Sequence, residues 1–514
     1  MTRIDFSKTE WGAAAASAIL LILSFPNFEV YPLAWIGLVP LLVVVAKRPS
    51  LLRAFILGWA VGSVFFYATC YWLTYSMIHY GGLPAVLAYL LLVPGALVIG
   101  VFHGVFALLV AVMVRRWGRF ALLFAPLFWS ALEWVRLEVT GQLWNALGYS
   151  QAYHPLLIQP ANWGGVYAVS YLIVTINSIV ALLIIHRTKW SITVVATTAL
   201  VVFYVIVFSK YLPTEPMPTS EGLLVYVVAV QPNVPMNAGK SAEEIKALID
   251  RHVSLSTEAL KPLPDYASQR LVVWPESPMN FTYASDKSFQ EFVAKFTREN
   301  HTSLLFNSLE PAPNDGSYNS ALLINEQGQR ISQYDKIRLM PFGEYVPLPQ
   351  WLPGASLISG IVGEFTPGSN YTLMPFGDNR KAGVFICIES AYPWIARQLT
   401  FDGADVLINV SNDGYLGPTA VMRQHLANVI FRAVENGRPV MRVTNTGLSA
   451  MIRKDGRIED LTEPFKPDVR VWVNHPTDKR DTVYTRKGDL FVYLCAWLSL
   501  MVFAVTMRLK PSTG

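Results

Sequence analysis

Ala-Gly-Val-Phe-Ile-Cys-Ile-Glu-Ser, residues 382–390, is a short apolar run that ends at a carboxylate. It has the length and composition of a buried strand. Its thiol, Cys387, is the only cysteine outside an apolar stretch long enough to enter a membrane; Cys70 and Cys495 both lie inside such stretches. No soluble cysteine is left to pair with it, which excludes a disulfide in this region. Working outward, Trp-Pro-Glu (274–276) and Tyr-Asp-Lys (334–336) put a carboxylate and an ammonium just after two further β-type runs.

The chain around this run is not that of a soluble protein. Of 514 residues, 53% are hydrophobic and 15% charged, against about 25% charged in ordinary soluble chains. The apolar excess is concentrated in eight stretches: 11–28, 31–46, 51–79, 83–114, 119–137, 164–186, 190–209 and 489–508. Each approaches or exceeds the ~20 residues needed to cross a bilayer. Pro26, Pro32 and Pro40 blur the ends of the first two. The first stretch runs directly into Pro26-Asn27-Phe28 with no small-residue cleavage site, so a cleaved signal peptide is not expected.

Basic residues alternate between the loops. Arg3 and Lys8, then Lys47, Arg48 and Arg53, Arg115, Arg116 and Arg119, Arg187 and Lys189, and Arg508 and Lys510 fall on one side; loops 29–30, 80–82 and 138–163 carry neither Lys nor Arg. The N-terminus is therefore expected in the cytoplasm and residues 211–486 outside it. Lys210, Arg486 and Lys487 run against this pattern, but they flank a long translocated segment, where the rule is weak. The expected organisation is a membrane domain of seven helices over 1–210, a catalytic domain over 211–486, and an eighth helix with its tail over 487–514. The net charge of +5 follows from the loops, and no basic cluster marks a nucleic-acid surface.

Within 211–486, β-type runs at 223–230, 271–274, 303–306, 321–324, 382–388 and 405–410 alternate with helical stretches at 241–260, 287–300, 391–401 and 418–436. That alternation predicts an α/β fold. The segment 345–370 is rich in Pro and Gly yet carries Trp351, Leu352, Leu357, Ile358, Ile361 and Val362. Such a loop either packs on its own domain or dips into lipid.

A lone buried cysteine is most often a small hydrophobe. Cys387, however, lies near the end of its strand, where α/β folds place reactive groups. Glu389, two residues on, shares its strand face, or else begins the next loop and is solvated. A thiol needs a base. Of His252, His301, His425 and His475, none ends a clear buried strand; Glu276 does. It reads as a general base or as a turn-capping glutamate. Lys336 reads as an oxyanion holder or as a surface lysine, and Glu344 as a carboxylate that positions it. Gln424-His425-Leu426 reads as a core feature of its helix. No His or Cys pair has metal-ligand spacing, and no glycine-rich phosphate loop is present.

Trp-Pro-Glu, Tyr-Asp-Lys and Ile-Cys-Ile-Glu, in this order, resemble the nitrilase (carbon–nitrogen hydrolase) superfamily. With Glu-Trp-Val-Arg (133–136), Leu-Gly-Tyr-Ser-Gln (147–151), Pro-Phe-Gly-Glu-Tyr-Val-Pro (341–347), Asn-Val-Ser-Asn-Asp (409–413), Arg-Ala-Val-Glu-Asn-Gly-Arg-Pro (432–439) and Thr-Asn-Thr-Gly (444–447), nearly the whole chain looks like the apolipoprotein N-acyltransferase family, the superfamily's membrane-embedded branch. The resemblance implies an αββα sandwich joined to eight transmembrane helices. It implies Cys387 as nucleophile, Glu276 as general base, Lys336 as oxyanion stabiliser, and Glu344 and Glu389 as supporting carboxylates, with no metal and no cofactor. It further implies a phosphatidylethanolamine-type phospholipid as acyl donor, a diacylglyceryl apolipoprotein as acceptor, and a bacterial inner membrane with the catalytic domain facing the periplasm. Three positions depart from the family pattern: Ile388 stands where an aromatic is expected after the nucleophile, Arg338 where His is common, and Tyr415 where Trp is common.

The membrane flanks fit such chemistry. Drawing a ~16-carbon chain into water would cost roughly 12 kcal/mol at about 0.8 kcal/mol per CH₂, so the site is expected to open to the bilayer. Loop 345–370 and the segment 138–163, with Trp144, Tyr149 and Tyr153, are candidate lids. Two other readings use the same residues: a membrane-anchored amidase with water as acceptor, and a non-catalytic lipid-binding scaffold.

Overall fold

The computed structural model describes residues 6–211, 224–236, 240–264, 268–313, 316–341, 343–345, 365–474 and 481–508. The chain divides into two compact units. One comprises Met1–Pro213, Thr419–Glu435 and Thr482–Gly514; the other comprises Thr214–Pro418 and Asn436–Asp481. The helical stretch expected near 418–436 therefore belongs almost wholly to the first unit.

The first unit is helical. Among the described residues, six of its helical segments are long and apolar enough to cross a membrane: Leu51–Thr69, Ala85–Trp117, Arg119–Thr140, Ala161–Ile185, Lys189–Ser209 and Leu490–Arg508. Where the first two expected spans lie, the chain forms a helix of 16 residues, Lys8–Leu23, and a shorter apolar stretch, Tyr31–Lys47. Pro32 opens a 3-10 turn there and Pro40 lies in the first turn of the helix that follows, which divides the stretch. The expected run 51–79 ends its first helix at Thr69 and resumes as Leu73–His79. Large apolar side chains remain on the outside of the long helices, with Leu200 67% and Leu500 69% exposed. Exposed apolar surface on helices of this length suits contact with lipid.

Inside this unit, several buried polar side chains bond to near neighbours. Glu133 accepts the Trp129 indole N–H at 2.9 Å and the Leu147 main-chain N–H at 2.7 Å. Arg136 donates to the Trp144 carbonyl at 2.8 Å and lies 5.0 Å from the centre of the Phe66 ring. These two side chains serve their neighbours instead of closing on each other as an i, i+3 pair. Gln424 is a hub. Its carbonyl oxygen accepts the indole N–H groups of Trp72 and Trp144, and its amide donates to the carbonyls of Thr69 and Pro26. The expectation of a core feature at 424–426 thus holds for Gln424, which is 3% exposed.

The second unit is built on two six-stranded sheets. The strands are β1 (Leu224–Gln231), β2 (Ser268–Val273), β3 (Ser303–Pro311), β4 (Ser317–Ile324), β5 (Arg330–Asp335), β6 (Leu373–Pro375), β7 (Lys381–Ile386), β8 (Val406–Ser411), β9 (Val440–Thr444), β10 (Ala450–Ile452), β11 (Ile458–Leu461) and β12 (Asp468–Asn474). One sheet has the order β12-β1-β2-β3-β4-β5 and the other β11-β10-β9-β8-β7-β6. In each, three parallel strands, β1-β2-β3 or β7-β8-β9, are flanked by antiparallel ones.

Alternation along the strands sorts the side chains into layers. Val225, Val227 and Ala229 of β1 join Val384 and Ile386 of β7 and Ile408 of β8 in one core between the sheets. Val228 and Val230 face the other way, into a second core with Ala259, Leu260, Phe289 and Val293 from helices Ala242–Leu260 and Lys287–Glu299. Helix Pro393–Phe401 covers the far sheet, where Gly383 lets it approach: a Cβ there would sit 2.8 Å from Leu399 Cβ. The layers are therefore helix, sheet, sheet, helix.

Candidate active site

Parallel strands deliver their carboxyl ends to one edge of each sheet, where open α/β folds bind ligands. β2 ends at Val273 and runs through buried Trp274 and Pro275 to Glu276. The Trp274 indole donates to Ser256 at 3.0 Å and its main-chain N–H to Leu305 at 2.8 Å, which anchors the turn before Glu276. β5 ends at Asp335, and the ladder continues one step as the Lys336 N–H donates to the Asn319 carbonyl at 2.8 Å. β7 ends at Ile386, and Cys387 opens a 3-10 turn, Cys387–Ala391, with φ of 52°. A non-glycine residue in the left-handed region is strained, and such residues concentrate at functional sites. The turn sets the half-buried thiol at the strand end.

Lys336 is 1% exposed, and its ammonium lies 2.9 Å from Glu344 Oε1 and 3.5 Å from Glu276 Oε1. Asn319 completes the cluster, donating through Nδ2 to Glu276 at 2.9 Å and to Glu344 at 2.7 Å. Its own Oδ1 accepts from Asn307 at 2.6 Å, which fixes the orientation of the amide. Glu344 also accepts the Met340 N–H at 2.7 Å. Burial alone would lower the pKa of Lys336. The charges of Glu276, Glu344 and Cys387 outweigh it and hold the ammonium well above the ordinary lysine range. Burial pushes the Cys387 thiol far above its usual value, Glu276 pushes further, and Lys336 opposes both. The structure therefore brings Glu276, Lys336, Glu344 and Cys387 into one electrostatic cluster. The resting thiol in it is protonated, and its proton must be taken for it to react.

Glu389 does not share a strand face with Cys387. The strand stops at Ile386, and the 3-10 turn carries Glu389 back beneath it. Nor is it solvated: it is 0% exposed. It accepts the main-chain N–H groups of Ile386 at 2.7 Å, Ile337 at 2.7 Å and Arg338 at 3.1 Å, and the Tyr334 hydroxyl at 2.9 Å. One carboxylate thus clamps the strand end before Cys387 to the segment after Lys336. Burial raises its pKa to about 7, against the pull of those N–H groups and of Lys336.

Two contributors escape the sequence reading. Asn319 is the third residue of β4, ahead of the apolar run that signals the strand. Asp413, just past the end of β8, adds a negative charge near Cys387. It is 1% exposed and held by the Arg442 guanidinium at 2.7 and 3.0 Å. Asn-Val-Ser-Asn-Asp was visible as a motif, but only the fold brings its last residue to the thiol. Among the described residues, no group of three or more His, Cys, Asp or Glu is arranged to hold a metal ion. Of the proposed lids, residues 346–364 lie outside the described residues, while Trp144, Tyr149 and Tyr153 belong to the helical unit, Tyr149 largely buried and Tyr153 donating to the Arg423 carbonyl at 2.7 Å.

Comparison with known proteins follows the same division. A family model of the apolipoprotein N-acyltransferase N-terminal domain matches residues 17–179, and one of carbon–nitrogen hydrolases matches residues 227–469. The apolipoprotein N-acyltransferase of Geobacter metallireducens is 31% identical over 98% of this chain and 96% of its own length. That of Allorhizobium ampelinum is also 31% identical, over 80% of this chain and 77% of its own. A carbon–nitrogen hydrolase from Helicobacter pylori superposes with a TM-score of 0.38 at 18% identity, covering 49% of this chain and 89% of its own. With a relative this similar over almost its full length, the chain belongs to the apolipoprotein N-acyltransferase family.

Proposed function

We propose that this protein transfers an acyl chain from a membrane phospholipid to the N-terminal amine of a diacylglyceryl apolipoprotein through a thioester on Cys387. The observation that carries the reading is the buried Lys336 ammonium, held 2.9 Å from Glu344 and 3.5 Å from Glu276, on which the charge of Cys387 also acts. Glu276 takes the thiol proton as Cys387 Sγ attacks the sn-1 ester of a phosphatidylethanolamine-type donor. Lys336 and a main-chain N–H near Ile388, in the first turn of the 3-10 helix, stabilise the oxyanion. The tetrahedral intermediate collapses, the proton passes from Glu276 to the departing alkoxide, and the lysophospholipid leaves. In the second half-reaction Glu276 deprotonates the incoming amine, which displaces the thiolate and forms an amide. Glu344 orients Lys336, and Glu389 holds the elbow under Cys387.

The helices long enough to span a membrane support a site fed from the bilayer. Eight crossings, a bacterial inner membrane and a periplasmic catalytic domain are part of this reading. Purified protein in detergent, given phospholipid alone, should gain the mass of one acyl chain. The adduct should be labile to hydroxylamine and absent in Cys387→Ser. Folded protein without an adduct overturns the proposal, and release of free fatty acid with no amide product points to a hydrolase.

A further inference from the structure

Arg338 stands where the resemblance leads to an expectation of His, and its setting gives it a use. Its main-chain N–H is fixed by Glu389 Oε1 at 3.1 Å, so its backbone is tied to the turn that carries Cys387. Its side chain is exposed. The guanidinium lies 5.3 Å from the centre of the Trp394 ring and 5.8 Å from that of Tyr392. Those rings meet edge to face at 5.1 Å. Tyr392 is buried, and the charges of Arg338, Lys336 and Glu389 all act on it. Among the described residues, no carboxylate lies within ion-pair distance of Arg338 and its side chain makes no hydrogen bond. Glu276 and Glu344 are committed to Lys336 and Asn319, and Glu389 to its N–H donors.

Among the described residues, the result is a planar cation held against two aromatic rings with its donors open, two residues beyond Lys336 and tied through its N–H to Glu389. Such a guanidinium matches a phosphate in a two-point geometry that an ammonium or imidazolium does not reproduce. Stacking restricts the side chain beforehand, so less rotamer freedom is lost on binding. We propose that Arg338 binds the phosphodiester of the acyl donor and thereby sets the ester of the same glycerol unit at Cys387. This rests on the acyl-transfer reading above, and it makes Arg338 a donor-binding residue with no part in moving protons.

The test uses the full-length protein in detergent and two reagents for the same thiol. Phosphatidylethanolamine reads donor binding through the rate of thioester formation, and a small neutral haloacetamide reads the nucleophile alone. Arg338→Gln should raise the phospholipid concentration needed for half-maximal acylation about tenfold, the loss of one charge-assisted contact. Alkylation of Cys387 should stay within about twofold, as a contact absent from that reaction cannot alter it. Arg338→Lys, a point charge without the planar fork, should fall between. Equal losses in acylation and alkylation would make Arg338 a support of the nucleophile and overturn the proposal, as would no change in either. Millimolar inorganic phosphate separates the two sources of such an anion. Protection by phosphate that needs Arg338, with phospholipid acylation indifferent to the substitution, would assign a free-phosphate site and overturn the lipid assignment. If wild-type protein forms no thioester from any phospholipid, the acyl-transfer reading itself fails, a result distinct from every outcome that compares the variants.

Discussion

Asn319 holds Glu276 through a 2.9 Å hydrogen bond, and the same amide nitrogen holds Glu344. Two carboxylates that would repel are thereby kept on either side of Lys336 with their oxygens directed. Asn319→Leu removes both donations while keeping the side-chain volume. The expected result is a 10–100-fold slower thioester formation, about 1.5–3 kcal/mol for hydrogen bonds to charged groups. The phospholipid concentration for half-maximal rate should hardly move, since Asn319 acts through Glu276 and Glu344. Single-turnover acylation measures both quantities, and a change confined to apparent affinity would contradict this role.

The thiol and its proposed base, Glu276, should separate cleanly under mutation. Burial first, and Glu276 next, raise the pKa of Cys387. A thiol with a raised pKa is protonated below it, so haloacetamide alkylation should stay slow through the ordinary thiol range near pH 8.5 and keep climbing above it. Glu276→Gln removes one of the charges that raise the pKa, so its alkylation profile should move to lower pH. Acylation by phospholipid should nevertheless fall by ~10²–10⁴, because the group that accepts the proton is gone. A profile that moves upward, or an acylation rate that survives, would remove Glu276 from its role.

Glu389 gives a stability signature. Burial brings its pKa in the folded protein to about 7, from an ordinary value of 4.5. Between those values the folded state keeps a proton that the unfolded chain has released, so stability falls as pH rises through the window. The shift corresponds to about 3 kcal/mol. Glu389→Gln carries no such proton. The stability of the wild type relative to this variant should decline by about that amount from pH 4.5 to 7, measured by unfolding in detergent. A difference that is flat or grows with pH would show that the N–H donors, not burial, govern this carboxylate.

Much of this arrangement could be read from the chain because strand ends are marked by chemistry. Val-Val-Trp-Pro-Glu stops a strand with a proline and leaves its carboxylate at the edge, and Tyr-Asp-Lys, without a proline, leaves an ammonium just past the end of β5. The runs at 223–230, 303–306 and 405–410 announced their strands by apolar content alone. Short strands such as β9, with Arg442 at its centre, and β5, with Ser332 and Gln333, carry no such signal. The i, i+2 argument for Glu389 failed because it assumed that the strand continued, whereas the chain turns at Cys387 with positive φ. Asn319 and Asp413 were missed because their roles come from tertiary pairing, which no local pattern encodes. The grouping of Thr419–Glu435 with the transmembrane helices is of the same kind: its periodicity shows a buried face, not the surface it is buried against.

Gln424 is the clearest case of that last class and yields a stability prediction for the helical unit. Its amide oxygen accepts the indole N–H of Trp72 at 2.9 Å and of Trp144 at 2.8 Å, while its nitrogen donates to Thr69 at 2.9 Å and Pro26 at 3.2 Å. All four hydrogen-bonding positions of the amide are used, in a buried site. Gln424→Leu leaves two indoles and two carbonyls without partners and should destabilise the protein by about 2–4 kcal/mol, read as a lowered unfolding temperature. Gln424→Glu keeps the acceptor and loses both donations, and it adds a buried negative charge, so it should not rescue. Replacing Trp72 and Trp144 with Phe alongside Gln424→Leu removes the orphaned donors together with their acceptor. That triple variant should regain part of the loss, because a buried donor without a partner costs more than its absence. Strict additivity of the three substitutions would mean that the hydrogen bonds of Gln424 contribute nothing and that only its volume matters.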